Sequence, residues 1–160
     1  MSFVVRAAEI ADAAGIARVN IESWRSTYVG LLPAEFLAEL DVAPRIQRWR
    51  ERLALHERGI SVGIVDGEVR GYAAAGGPRD DDAPRPLELY MLYTLESEHG
   101  SGLGRALLDA VLADSAASVW VATGNARAIA FYRKCGFELD GTVKNDERFA
   151  GIHESRMLRG

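Results

Sequence analysis

The spacing of apolar residues changes period several times along the chain, and each change marks an element. "SFVVRAA" (2–8) is rich in β-branched residues and predicts a short first strand. Ala13, Ile16, Ala17 and Trp24 then fall on one face of a helix. Pro33 and Pro44 each predict the first turn of a further helix, where a missing N–H costs nothing. Phe36, Leu37 and Leu40 are the apolar positions of the first of these, and Ile46, Trp49 and Leu53 those of the second. From Ile60 the period shortens: "ISVGIV", Asp66-Gly67 and "EVRGYAAAGG" predict a hairpin, since Asp-Gly supplies the positive φ angles of a tight turn.

The stretch 76–86, "GGPRDDDAPRP", is polar, acidic and interrupted by three prolines, and predicts an exposed loop. "LELYMLYTLE" (87–96) is apolar on both faces, as a covered central strand is. Leu103, Ala106, Leu107, Ala110 and Val111 trace the next helix face. "SVWVAT" predicts another buried strand. Asn125 then stands as the N-cap of a short helix through Lys134, closed by Gly136. "GFELDG" and "GIHESRMLR" are the last two strands. The result is one mixed α and β domain over 1–160, with no internal repeat.

Composition narrows the function. With 160 residues and 48% hydrophobic content the chain can bury a real core. A net charge of −4, with no segregated basic face, argues against nucleic acid and membrane surfaces as partners. The only cysteine, Cys135, excludes an intrachain disulfide and suits a reducing compartment. No apolar run approaches the ~18 residues that span a bilayer, and the N-terminal run is broken by Arg6. The expectation is a soluble, cytoplasmic protein. His56, His99 and His153 show no metal-ligand spacing, so no metal is expected.

The chemistry is concentrated in "EHGSGLGRALLDAV" (98–111), a glycine-rich turn between a strand and a helix. N–H groups at a helix start are unpaired and lie at the positive end of its dipole, and glycines let an anion approach them. A dinucleotide fingerprint fails, because the third glycine is Arg105 counting from Gly100 and Leu107 counting from Gly102. A P-loop fails too, because Gly104 is followed by Arg105 and Ala106 rather than Lys and Ser or Thr.

"HGSGLG" resembles instead the pyrophosphate loop of the GCN5-related N-acetyltransferases (GNAT), with His99 where that family has Gln or Arg. "ELYMLYT" resembles the family's central strand, "NARAIAFYRKCGFELDG" (125–141) its second hallmark, and "ESWRSTYVGLLP" its substrate-side helices. The resemblance implies an α+β fold with a mostly antiparallel sheet of about six or seven strands, flanked by helices and splayed at the central strand. It implies transfer of an acetyl group from acetyl-CoA to a primary amine by direct attack. The alternative is a non-catalytic acyl-CoA-binding or regulatory module on the same fold. A homodimer is compatible with either.

Residue by residue, the resemblance assigns the cofactor's pyrophosphate to the loop amides of Gly100, Ser101, Gly102, Leu103, Gly104 and Arg105, with the side chain of His99 as a weaker contact in the Gln/Arg place. It assigns the pantetheine arm to the backbone of Leu92, Tyr93 and Thr94, with Asn125 as a further contact. Tyr132 matches the family's general acid: a phenol with pKa near ~10 can protonate a thiolate whose conjugate acid lies near ~8.5. Glu88, opening the central strand, matches the family's general base, with Glu22, Tyr28 and Glu154 as further candidates. Trp24 and Tyr28 of the first helices, with the 76–86 loop and its acidic "RDDD" (79–82), are expected to wall the amine site. Cys135 sits at a helix end, where the dipole disfavours a thiolate, and reads as structural.

Overall fold

A computed structural model of the chain describes residues 2–55 and 59–160; His56 lies outside them. Seven strands form one sheet in the order β1-β2-β3-β4-β5-β7-β6. They are β1 (Val4–Ala7), β2 (Ile60–Val65), β3 (Glu68–Gly76), β4 (Leu87–Thr94), β5 (Ala117–Ala122), β6 (Glu138–Asp146) and β7 (Ile152–Arg159). All neighbours are antiparallel except β4 and β5. Asp66 (φ 51°) and Gly67 (φ 78°) make the two-residue β2–β3 turn that the Asp-Gly pair predicts.

The helices cover both faces. α1 (Ala13–Thr27) and α3 (Val42–Ala54) lie on one, with Ile16, Val19, Trp49 and Leu53 packed against Val62 and Tyr72. α4 (Leu103–Leu112) and α5 (Ala126–Lys134) accompany a second cluster of Leu89, Leu108, Val119, Phe137 and Met157. Pro33 caps the short α2 (Ala34–Ala38) from outside rather than occupying its first turn, and Leu37 is its buried residue. Pro44 sits in the first turn of α3, whose cap is Asp41, accepting from Ala43 N. Among the described residues no helix is long and apolar enough to cross a membrane.

What positions the site is the parting of β4 from β5. Their parallel pairing covers only Leu87, Glu88 and Leu89. At that point the β3–β4 register shifts: Ala75 faces Leu89, but Ala74 faces Met91, so Tyr90 is an extra residue. A bulge bends the strand that carries it. Beyond it β4 stays paired with β3 through Thr94, while β5 continues against β7. The splay expected beside the central strand is present, and Tyr90 is where it starts.

Candidate functional site

Two clefts open at the parting. The first, about 430 Å³, is lined by Leu92, Tyr93 and Thr94, by the turn from Glu98 to Gly104, and by Asn125, Arg127, Ala128, Phe131 and Tyr132 of α5. Gly100 (φ 82°) and Gly102 (φ 93°) are left-handed, the conformation that favours glycine, whereas Gly104 is helical and a Cβ there would make an ordinary 3.4 Å contact with the Phe131 ring. Ser101 Oγ accepts from Leu103 N at 3.2 Å. The N–H groups of Gly102, Gly104 and Arg105 find no acceptor among the described residues. These open donors at the start of a ten-residue helix fit a phosphate-bearing ligand.

The side chains of three predicted loop residues point elsewhere. Leu103 is fully buried beside Val65, Ala73 and Leu107, and Arg105 pairs with Asp109 at 3.1 Å on the surface. Ser101 is the local cap just described. Only the main chain of these three belongs to the turn's binding surface.

Asn125 Oδ1 accepts from Ala128 N at 3.1 Å, so it caps α5 as well as lining the cleft. Tyr132, on the inner face of α5, is buried between Phe131 and Phe137, and its hydroxyl has no hydrogen-bond partner among the described residues. Burial, with Tyr28 and Cys135 nearby, raises its pKa, so the phenol holds its proton at neutral pH. Cys135 is buried, and burial raises its thiol too.

His99 stands at the cleft mouth against the guanidinium of Arg127, whose Nη2 lies 3.0 Å from Nε2. Burial and the Arg127 charge push the imidazole pKa down, against a hydrogen bond to the Thr94 backbone. Arg127 thus brings to this edge the positive charge that a neutral histidine lacks. It was missed in the sequence, although a signal was present: a cation in the first turn of a helix opposes the helix dipole.

The second cleft, about 140 Å³, lies on the other side of Tyr93, which lines both. Trp24 of α1 and Tyr28, its C-cap, line it, and the Tyr28 and Tyr93 hydroxyls are 2.9 Å apart. Arg79 comes from the 76–86 loop, and the rest from residues that sequence reasoning did not single out: Tyr90, Trp120, Lys144, Asp146, Arg148 and Phe149. Glu154, named only as a secondary candidate, is there as well.

Glu88 occupies a different place from the one expected of a base. It is 1% exposed, and both of its oxygens are held by Arg79: Oε1 accepts from the backbone N at 2.9 Å, Oε2 from Nε at 3.0 Å and Nη2 at 2.6 Å. It lines neither cleft. Arg79 also lies 4.6 Å from the Tyr90 ring centroid. Asp80 accepts from Trp120 Nε1 at 2.7 Å. The acidic loop is therefore clasped over the second cleft. Glu22 is exposed beside Arg18, and His153 is exposed on β7. Among the described residues no group of three or more His, Cys, Asp or Glu is placed to hold a metal.

A family profile described as Acetyltransferase (GNAT) family matches residues 14–137. The chain is 35% identical over 105 residues to the uncharacterized N-acetyltransferase YuaI of Bacillus subtilis (strain 168), a match covering 65% of this chain and 59% of that protein. It is 32% identical over 157 residues to the L-methionine sulfoximine/L-methionine sulfone acetyltransferase of Pseudomonas aeruginosa, covering 89% and 84%. Among solved structures its fold is similar to that of PaiA N-acetyltransferase from Thermoplasma acidophilum in complex with coenzyme A, with a TM-score of 0.74 at 20% identity over 99% of each chain. With its glycine turn, parted central strand and Tyr132 helix in one cleft, the chain belongs to the acetyltransferase (GNAT) family.

Proposed function

We propose that the chain, as one domain over 1–160, transfers an acetyl group from acetyl-CoA to the primary amine of a small molecule, and does so in the cytoplasm. The observation that carries this is the first cleft, where open N–H groups, an unpartnered stretch of strand and the free Tyr132 hydroxyl share one cavity. Acetyl-CoA, when bound, supplies the thioester that an uncharged amine converts to an amide with release of the thiol.

The chain's own residues divide that work. The N–H groups of Gly102, Gly104 and Arg105, with Arg127 and His99 at the edge, hold the pyrophosphate. The backbone of Leu92, Tyr93 and Thr94, free of a strand partner on the β5 side, holds the pantetheine amides as a neighbouring strand would. Asn125 fixes the start of α5 and so the direction in which Tyr132 enters. Tyr132 gives its hydroxyl proton to the departing sulfur. Two protons must leave the amine nitrogen: one passes to a carboxylate and on to solvent, and the other replaces the proton that Tyr132 gives up. Glu88, closed in by Arg79, acts as the strut that fixes the loop over the second cleft. Trp24 and Tyr28 contact the acceptor there.

A small acceptor is favoured by the 140 Å³ volume of that cleft and by the Pseudomonas aeruginosa relative, whose named substrates are amino-acid derivatives. The test is release of free thiol from acetyl-CoA over a panel of L-methionine sulfone, spermidine and an alanine-terminated peptide. One amine should be turned over, and Tyr132→Phe should lower kcat about 10- to 100-fold while leaving the Kd for acetyl-CoA unchanged. Tight acetyl-CoA binding with no turnover of any amine, or a fully active Tyr132→Phe variant, supports the non-catalytic binding module instead.

A further inference from the structure

The second cleft holds more charge than an apolar amine pocket needs, and the charges are unevenly matched. Glu88 is held by Arg79, Asp146 by Arg148 at 3.0 Å, and Asp80 lies 3.9 Å from Lys144. Glu154, in the middle of the wall, has no cation within 4 Å among the described residues. It is half-buried on β7, opposite Ala122 of β5 and Lys144 of β6. The groups that face it are Lys144 and Asp146 from β6, Arg148 from the turn after β6, and Tyr28 from α1, with Arg79 of the loop and Tyr93 of β4 completing the wall. Burial and the nearby Asp146 raise its pKa, which makes it a stronger proton acceptor than an ordinary glutamate.

Glu154 shares a hydrogen bond with the Asp146 carboxyl group, whereas a second polar group of the same cleft has no partner among the described residues. Trp24 lines the cleft, is 7% exposed, and its buried Nε1–H has no acceptor among the described residues. A buried donor left unpaired is destabilising, and a ligand oxygen relieves it. The rings of Tyr28, Tyr93 and Phe149 stand around this point, with centroids 4.9–6.4 Å from that of Trp24, and the Trp24 and Phe149 rings already meet the guanidinium groups of Arg45 and Arg148, each at 5.5 Å.

We infer that Glu154 docks the acceptor's ammonium group and takes its proton, that Trp24 Nε1 receives an oxygen of the same molecule, and that the acceptor is therefore a compact primary amine bearing a hydrogen-bond-accepting oxygen. This rests on the transferase reading above. The step balances simply. One N–H bond of the ammonium breaks, the proton joins a Glu154 oxygen and leaves to solvent, and the lone pair freed on nitrogen forms the new bond to the acetyl carbon as the C–S bond breaks; the sulfur takes the Tyr132 proton, which the second proton lost from nitrogen replaces.

The test uses the same panel, followed from pH 6 to 9.5, with wild type, Glu154→Gln, Glu88→Gln and Trp24→Phe. L-Methionine sulfone should exceed spermidine, which has no oxygen, and the peptide, which is not compact. Glu154→Gln should lower kcat/KM for the best acceptor about 10²-fold at pH 7, and the deficit should shrink at high pH, where solvent leaves the amine uncharged. Its Kd for acetyl-CoA should match wild type. Glu88→Gln should keep the wild-type acidic limb. Trp24→Phe, which keeps the ring and loses the donor, should raise the acceptor KM about fivefold with little change in kcat.

Glu154→Gln within threefold of wild type, with the acidic limb in place, overturns the docking role. Spermidine as the best acceptor, or an unchanged KM in Trp24→Phe, overturns the oxygen contact and the acceptor class. No turnover of any amine by the wild type overturns the transferase reading first, and this inference with it.

Discussion

The two clefts meet at Tyr93 and are built from different materials. The first is largely main chain: a glycine turn, three residues of one strand, and a helix face that carries Tyr132. The second is side chains, drawn from α1, the 76–86 loop, β4, β5, β6, the turn after β6, and β7. Main-chain groups are the same in every residue, so the first cleft depends on where backbone can go. The second depends on what each side chain carries, and its ion pairs join residues up to 64 positions apart, as Asp80 and Lys144 do. A substitution should therefore damage one cleft and leave the other almost untouched.

The largest effect should come from Arg79→Met. It leaves the buried Glu88 carboxylate without its cation, and loss of one partner of a buried pair costs about 3 kcal/mol. Urea unfolding should show that loss, and acceptor KM should rise as the loop is released, while the acetyl-CoA Kd stays near wild type. The double variant with Glu88→Gln should recover much of the stability. Gly102→Val is the converse. It forces a β-branched residue to a φ of 93° at the turn, and calorimetry should show acetyl-CoA binding at least tenfold weaker, with acceptor binding preserved. The smallest effect belongs to Arg127→Ala, an exposed charge at the edge of the first cleft. Acetyl-CoA affinity should fall about threefold at low salt, and the difference should fade as salt is added. Equal damage to both clefts by any of these variants would break the division.

The same contrast explains what could be read from the sequence. The β2–β3 hairpin, the α5 cap at Asn125 and the glycine turn are local devices, set by residues within a few positions of one another, and they stand where the pattern puts them. The splay followed from family resemblance, but its cause, the extra residue Tyr90, lies in a register that only pairing with β3 defines. β4 ends at Thr94 rather than Glu96 because Glu96–Glu98 tighten into a 3-10 turn whose last residue, Glu98, is buried. Glu88 was read as a base because its partner, Arg79, lies across a loop that reads as solvated. That loop gave no sign of being fastened, since Asp80 meets Trp120 forty positions away. The side-chain cleft was accordingly the less legible of the two: Trp24, Tyr28 and the 76–86 loop were named, but Lys144, Asp146 and Arg148, brought in from β6 and the turn after it, were not.

The bulge at Tyr90 has a consequence for how the chain can change over time. An inner strand that leaves its neighbour presents an edge in the middle of a sheet, a place where pairing would ordinarily continue. Were β4 and β5 to run on together past Leu89, the sheet would gain ladder bonds and the first cleft between them would close. Selection for stability and selection for acylation thus pull in opposite directions on the same few peptide groups, and the most robust relative of this chain would be one that had closed its sheet and lost its chemistry.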